Sequence, residues 1–145
     1  MKTCALLIVI ASFSGQASIV RADNTQAQWQ AIAVPQSEQV HFYVDTSSVH
    51  QSGKFSRARV LYDFKEPQLN ENLGIYSRSY IVDSYIDCKQ QRLAPEKMTL
   101  YSENMGLGTP QGQTAVEKVC KWATARPGTT NGAIADAVCR QLARK

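Results

Sequence analysis

Apolar and polar residues alternate along much of the chain between residues 29 and 102. In residues 38–45, for example, Val40, Phe42 and Val44 are separated by more polar side chains at positions 41, 43 and 45. A period of two residues places neighbouring side chains on opposite faces of a β-strand. By this criterion the sequence predicts six strands, over residues 29–34, 38–45, 54–64, 76–88, 92–102 and 113–124.

Turn-forming residues separate the predicted strands. Residues 46–53 are rich in serine and include Gly53, and residues 106–110 read Gly-Leu-Gly-Thr-Pro, compositions that are typical of turns. Residues 66–74 contain Pro67, two asparagines and Gly74, and this segment is predicted to be an exposed loop. The chain has no internal repeat and no long linker, which indicates one domain.

The period changes after Pro127 and Gly128, which are expected to end the last strand. Residues 129–131 are Thr, Thr and Asn, all suited to cap a helix. Apolar side chains then recur at helical spacing, at Ile134, Ala137, Val138 and Leu142. A helix of about fifteen residues is marginal alone in water, so it is expected to pack against the sheet. The predicted fold class is α+β, a single antiparallel sheet of about five to six strands with a C-terminal helix on one face.

The first 22 residues have the layout of a secretory signal peptide. Lys2 provides an early positive charge, an apolar run follows over residues 5–13, and small residues allow cleavage after Ala17 or Ala22. Cleavage after Ala22 is preferred and leaves residues 23–145 as the mature domain. Cys4 precedes the apolar run, so it is not placed as a lipoprotein cysteine. We expect the protein to be exported to the periplasm, the outer surface or the medium, with no transmembrane segment after signal removal.

Composition excludes some partners. The chain of 145 residues is 43% hydrophobic and 19% charged, which is enough apolar material for a core. Its formal net charge is +4, and the charges are scattered along the chain. This mild, dispersed charge predicts that nucleic acid is not a partner.

Export changes how the cysteines are interpreted. Cys88, Cys120 and Cys139 remain in the mature domain, and an oxidising compartment favours one disulfide among them. Cys88 lies on the more apolar face of the longest predicted strand and Cys139 lies on the helix, so a Cys88–Cys139 bridge that fastens helix to sheet is favoured. The pairings Cys88–Cys120 and Cys120–Cys139 remain open, and a leftover Cys120 is expected to be a buried thiol beside Trp122.

No catalytic residue, metal ligand or cofactor site is predicted. The cysteines lie 32 and 19 residues apart, without a zinc-ligand pattern, and neither His41 nor His50 belongs to a nucleophile signature. The segment at 106–108 lacks the third glycine and the following helix of a nucleotide fingerprint. Asp83 and Asp87, four residues apart on one strand, are separated by about 13 Å, too far to share a proton.

Short motifs nevertheless occur in a characteristic order along the chain. They are Trp29; Tyr43, Asp45, Ser47, Ser48 and Val49; Tyr76, Arg78, Ser79, Asp87 and Cys88; Tyr101 with Gly106 and Gly108; and the late Cys139. In order and spacing this set resembles the surface-adhesin protein E domain of Gram-negative bacteria. The resemblance implies a single antiparallel sheet with a C-terminal helix held to it by a disulfide, here Cys88–Cys139. It also implies binding of host extracellular-matrix and serum proteins, and a possible homodimer.

The face of the sheet opposite the helix is the candidate binding surface. Arg57, Arg59 and Arg78, with Tyr85 nearby, are expected to form a mixed basic and aromatic surface whose binding is salt-sensitive. The sequence-based hypothesis is an exported, non-catalytic, adhesin-like protein that binds a host matrix or serum protein or an envelope protein. The alternative is a periplasmic accessory or inhibitor protein that acts on an envelope component.

Overall fold

A computed structural model describes residues 27–35, 37–115 and 121–145. The predicted signal peptide and Cys120 lie outside these residues. The strands are β1 (Trp29–Ile32), β2 (Val40–Asp45), β3 (His50–Ser52), β4 (Phe55–Asn70), β5 (Ile75–Asp87), β6 (Arg92–Tyr101), β7 (Pro110–Ala115) and β8 (Ala123–Thr124). A 3-10 turn spans Asn104–Gly106, and the helix α1 spans Thr130–Ala143. Neither helical segment of this described part is long and apolar enough to cross a membrane.

All the strands of the described residues belong to one antiparallel sheet, in the order β1-β2-β4-β5-β6-β7. The short strand β3 pairs with β4 and the short strand β8 pairs with β6, which brings the sheet to 8 strands. The predicted α+β class, with a single antiparallel sheet and a C-terminal helix, is therefore confirmed. The two short strands account for the difference from the predicted number.

Three local predictions were wrong. Of the predicted loop 66–74, only residues 71–74 form an exposed turn, because β4 continues to Asn70 and pairs again with β5 from Gln68 onwards. Pro67 lies in the irregular stretch between Asp63 and Gln68, where it does not interrupt a regular ladder. The predicted strand 113–124 is two strands, β7 and β8, which pair with different ends of β6. Residues 50–52, predicted as part of a turn, form β3.

The main core lies between the helix and one face of the sheet. Phe42, Val60 and Ile86 from the strands pack with Ile134 and Val138 from the helix, and all five are buried. These helical residues lie four apart, so they form the apolar stripe that periodicity predicts.

The helix begins at an N-cap residue, and its first turn lies close to the backbone of the preceding segment. The Thr129 side chain accepts a hydrogen bond from the Gly132 N–H at 3.1 Å, as an N-cap does. A Cβ atom at position 132 would lie 2.0 Å from the Arg126 carbonyl oxygen, so only glycine fits there. These contacts hold the first turn of α1 against the segment that precedes it.

A disulfide joins Cys88, directly after β5, to Cys139 in α1. The Cα atoms of the two residues are 5.9 Å apart, a normal distance for a disulfide. The favoured pairing is therefore confirmed, and the helix is tied to the face that it covers.

A smaller apolar cluster lies on the opposite face of the sheet. Leu61, Ile81 and Tyr101 are buried there, and Trp29, Tyr43 and Met105 pack against them. The 3-10 turn reaches this face because Asp63 Oδ1 accepts hydrogen bonds from the Asn104 side chain (3.0 Å) and the Met105 N–H (2.7 Å). Among the described residues, one end of this face is thus covered by the chain itself, and the other end is available as a surface.

A buried carboxylate organises the corner where β1, β2 and β4 meet. Asp45 is fully buried, and its Oδ1 accepts hydrogen bonds from the Gln28 N–H (3.0 Å), the Ser47 N–H (3.1 Å) and the Ser47 hydroxyl (2.5 Å). Its Oδ2 accepts from Arg59 Nε (3.1 Å) and Nη2 (2.7 Å). Ser48 donates to the Asp45 carbonyl oxygen and accepts from the Arg59 N–H. Burial alone would raise the pKa of Asp45, but the hydrogen bonds from Ser47, Arg59 and Gln28, together with the Arg59 charge, outweigh burial and lower it below its ordinary value of 3.8.

Removing the disulfide should loosen the helix first. In the chain-entropy model a bridge over 51 residues contributes about 4 kcal/mol. We expect the double variant Cys88→Ser/Cys139→Ser to lose about that free energy of unfolding in urea titrations. Cys120→Ser is the matched control, because it removes a thiol without touching the bridge. Equal stability of the double variant and the control would contradict the structural role of the bridge.

Asp45 should make stability depend on acid pH. Because its pKa is lowered in the folded state, its contribution is complete above 3.8 and is lost as pH falls through the folded-state pKa. We expect Asp45→Asn to cost about 2 kcal/mol at neutral pH and to flatten the stability profile between about pH 5 and pH 2. Urea unfolding across this range measures both effects. Asp136→Asn, which changes an exposed carboxylate on α1, should leave the profile unchanged. An unaltered profile in Asp45→Asn would refute the assignment.

Candidate binding surface

The uncovered end of the sheet face opposite α1 is the candidate binding surface, and it is called the open face below. Strands β4, β5 and β6 and the segment before β8 contribute to it. The side chains that they place on this face are half-buried or exposed. Its residues are Phe55, Arg57, Arg59, Asp83, Tyr85, Arg92, Glu96, Lys97 and Trp122.

Arg57, Tyr85 and Glu96 form one connected unit at the centre of the open face. Arg57 and Tyr85 are directly opposite each other on β4 and β5, and the guanidinium carbon lies 4.9 Å from the centre of the tyrosine ring. Glu96 forms an ion pair with Arg57 and accepts a hydrogen bond from the Tyr85 hydroxyl at 3.2 Å. The side chains of Arg57 and Glu96 are 35% and 38% exposed, so the unit is held in place yet accessible.

An aromatic group extends the surface beside this unit. Phe55 lies 4.7 Å from Trp122 and 6.5 Å from Tyr85, measured between ring centres. Arg92 stacks over Trp122 at 4.6 Å, and Lys54 lies 5.0 Å from the Phe55 ring centre. Rings and cations therefore alternate across the edge of the open face.

Most of the charges on the open face are paired. Arg59 is bound to the buried Asp45, Lys97 Nζ lies 3.4 Å from Asp83, and Arg92 lies 3.1 Å from Asp87. The hydrogen bond from the Gln90 N–H is the largest influence on the pKa of Asp87, and with the Arg92 contact it lowers that pKa despite burial. Positive and negative side chains on this surface therefore largely neutralise one another. Arg59 has a structural role, because its partner Asp45 is buried.

Arg78 lies apart from the other predicted binding residues, so the expectation of one patch with three arginines was wrong. It is an odd number of positions from Tyr85 on the same strand, which places the two side chains on opposite faces. Ser77 and Ser79, which share the face of Tyr85, are buried, whereas Arg78 is exposed. Of the predicted set, the structure brings together Arg57 and Tyr85, with Arg59 beside them.

Sequence reasoning missed Phe55, Arg92 and Glu96. Phe55 could have been found, because it lies two positions before Arg57 and shares its face. Glu96 could also have been found, because it shares the parity of Arg92 and Ala94, so alternation from the start of β6 places it on this face. The register shift between Asp83–Lys97 and Ser84–Pro95 brings the adjacent Lys97 to the same face as Glu96, which alternation does not predict.

We find no arrangement typical of a metal site or of a serine–histidine pair at this surface among the described residues. Within them, no group of three or more His, Cys, Asp or Glu residues is arranged to hold a metal ion. A cavity of about 260 Å³ beside β3 is lined by Ser47, Ser48 and His50 among others. The Ser47 hydroxyl donates to Asp45, and His50 Nδ1 donates to the Ser48 carbonyl oxygen at 2.7 Å. These contacts give the turn its shape, and they do not pair a serine hydroxyl with an imidazole base.

Known structures share this architecture. The structure of Haemophilus influenzae protein E is 17% identical and matches with a TM-score of 0.58, covering 79% of this chain and 87% of that chain. Its crystal form II gives 18% identity and a TM-score of 0.54, covering 78% and 89%. Protein E from non-typeable Haemophilus influenzae gives 17% identity and a TM-score of 0.52, covering 78% and 84%. At this level of identity the similarity shows a common fold.

The sequence itself identifies the family. No curated protein sequence matches the chain. The family described as surface-adhesin protein E matches residues 14–140, which is most of its length. The chain therefore belongs to the surface-adhesin protein E family.

Proposed function

We propose that this protein is an exported, non-catalytic binding protein whose ligand is a host matrix or serum protein or a protein of the bacterial envelope. The surface-adhesin protein E family is one of surface-exposed or exported bacterial proteins, which supports this class of function. The single observation that carries the proposal is the connected unit of Arg57, Tyr85 and Glu96, half-exposed beside Phe55 and Trp122.

The unit has the properties of an interface anchor. Tyrosine, tryptophan and arginine are the residues that most often dominate binding energy at protein interfaces. Arg57 and Tyr85 lie on paired strands and contact each other, so little side-chain freedom remains to be lost on binding. A protein ligand would bury the rings and exchange the ion pair with Glu96 for contacts of its own.

Charge balance changes the expected salt dependence. A patch of three unpaired arginines would bind with strong sensitivity to ionic strength, whereas Arg57 and Arg59 already have carboxylate partners. Apolar and stacking contacts are affected much less by screening than long-range attraction is. We therefore replace the expectation of salt-sensitive binding with a weak dependence on salt.

The alternative function is a periplasmic accessory or inhibitor protein with an envelope component as its target. Protease digestion of intact cells separates the two functions. Cleavage of the protein on intact cells supports surface display, and protection until the outer membrane is opened supports the periplasmic role.

Binding should depend on the centre of the open face. We expect Arg57→Ala/Tyr85→Ala in the mature chain to weaken ligand binding about tenfold or more. Biolayer interferometry of the mature protein, against immobilised host matrix and serum proteins and against envelope extract, measures the loss. The matched control combines Arg78→Ala with Tyr76→Ala, an exposed pair on the other side of the sheet.

The two variants give opposite outcomes under the proposal. The control should bind the ligand as the unaltered protein does. Binding of the ligand by the unaltered protein should change little with added salt. Equal weakening by both variants, or unchanged binding in Arg57→Ala/Tyr85→Ala, would rule out the open face as the ligand site.

A further inference from the structure

A groove of about 460 Å³ runs between strand β1 and helix α1, away from the open face. One wall is formed by β1 and the residues after it, and the other is one side of the helix from Thr129 to Arg144. Its volume is within the range of pockets that hold a ligand.

Strand β1 is an edge strand of the sheet within the described residues, with β2 on one side. The Gln28 carbonyl oxygen accepts from the Thr46 N–H at 2.9 Å, so this pair is hydrogen-bonded across the two strands. In an antiparallel pair such positions alternate, which directs the backbone groups of Gln30 and Ile32 toward β2. Trp29 and Ala31 therefore present their N–H and C=O groups outward, as a template for one more strand.

The wall of the groove that the helix forms has small side chains and a net positive charge. Ala133 and Ala137 are small and leave space beside β1. Arg140 and Arg144, one turn apart, also line the groove, and among the described residues neither is in an ion pair. Asp136 is the only carboxylate that lines the described walls. The arginines of the open face form ion pairs with carboxylates. Within the described part of the chain Arg140 and Arg144 do not, so their positive charge is available to a ligand.

We propose that this groove binds an extended, acidic segment of a partner protein, which adds to β1 as a further strand. A strand added here would place alternate side chains on the helix side of the sheet. Those side chains would enter the space beside Ala133 and Ala137, and acidic ones would meet Arg140 and Arg144. Backbone hydrogen bonds then provide affinity and the two arginines provide selectivity. The inference rests on the proposed function only in that the partner is a protein, since the site is separate from Arg57 and Tyr85.

Charge and shape select this occupant. An apolar helix would leave the outward N–H and C=O groups of β1 without partners and would cover two arginines with apolar surface. An extended acidic segment satisfies both the strand edge and the arginines.

The test uses the mature chain with its disulfide intact and three synthetic octapeptides. The first alternates valine and glutamate, the second alternates valine and lysine, and the third is the valine–glutamate peptide with alternate backbone nitrogens methylated. We expect the first to bind in calorimetric titrations and the other two to bind at least about tenfold more weakly. Equal binding of the glutamate and lysine peptides, or full binding of the methylated peptide, would overturn the proposal.

Substitutions in the protein test the same site independently of the changes in the peptide. Arg140→Glu/Arg144→Glu should weaken the valine–glutamate peptide and improve the valine–lysine peptide. Arg78→Glu/Arg126→Glu is the matched control, because both arginines are exposed and do not line the groove. Ala31→Pro removes an outward N–H from β1 and should abolish peptide binding. If Ala31→Pro does not fold, the methylated peptide still decides whether the backbone of the added strand is required.

Two further results distinguish the groove from the open face and from a dimer contact. Arg57→Ala/Tyr85→Ala should bind the valine–glutamate peptide as the unaltered chain does, so failure of one site is distinguishable from failure of the other. A second copy of the chain is the competing occupant of the β1 edge. A dimer in sedimentation experiments that Ala31→Pro dissociates, together with no binding of the peptide, would assign the groove to self-association and overturn the proposal.

Discussion

The disulfide between Cys88 and Cys139 is the constraint on which the rest of the structure depends. A helix of this length is marginal in isolation, and it gains stability from the apolar face that it buries and from the covalent link to β5. Because the helix covers one face of the sheet, Phe42, Val60 and Ile86 have an interior in which to pack. The uncovered end of the opposite face is consequently the surface that we propose for the protein ligand.

The charged residues divide between the fold and the surface. Arg59 looks like a surface residue in the sequence, but the buried Asp45 binds it through two hydrogen bonds and so makes it part of the corner between β1, β2 and β4. Arg57, two positions away, contacts Tyr85 and the half-exposed Glu96 and remains accessible. Two arginines on one strand face thus have different roles, and the burial of the carboxylate partner decides which role each one has.

Periodicity predicted the elements that have a regular pattern, and local irregularities explain what it missed. Alternation identified β2 and β5, and helical spacing identified α1, since buried apolar residues recur there at a fixed period. Pairing with β5 extends β4 through a polar segment that includes Pro67, a gain of backbone hydrogen bonds that composition does not reveal. A bulge in β6 brings Lys97 to the same face as Glu96, which regular alternation does not predict. The face of Arg78, by contrast, follows from simple alternation along β5, and the sequence alone was sufficient to place it.

Side-chain footprinting by hydroxyl radicals, with and without a bound protein ligand, tests the central account most directly. The three aromatic residues of the open face, Phe55, Tyr85 and Trp122, should be protected when the ligand binds. Tyr76 provides the internal reference, because it is 63% exposed and lies on the other side of the sheet. Protection of those three with unchanged labelling of Tyr76 is the expected result. Protection of Tyr76 with unchanged labelling of the open face would show that the ligand binds elsewhere and contradict the account.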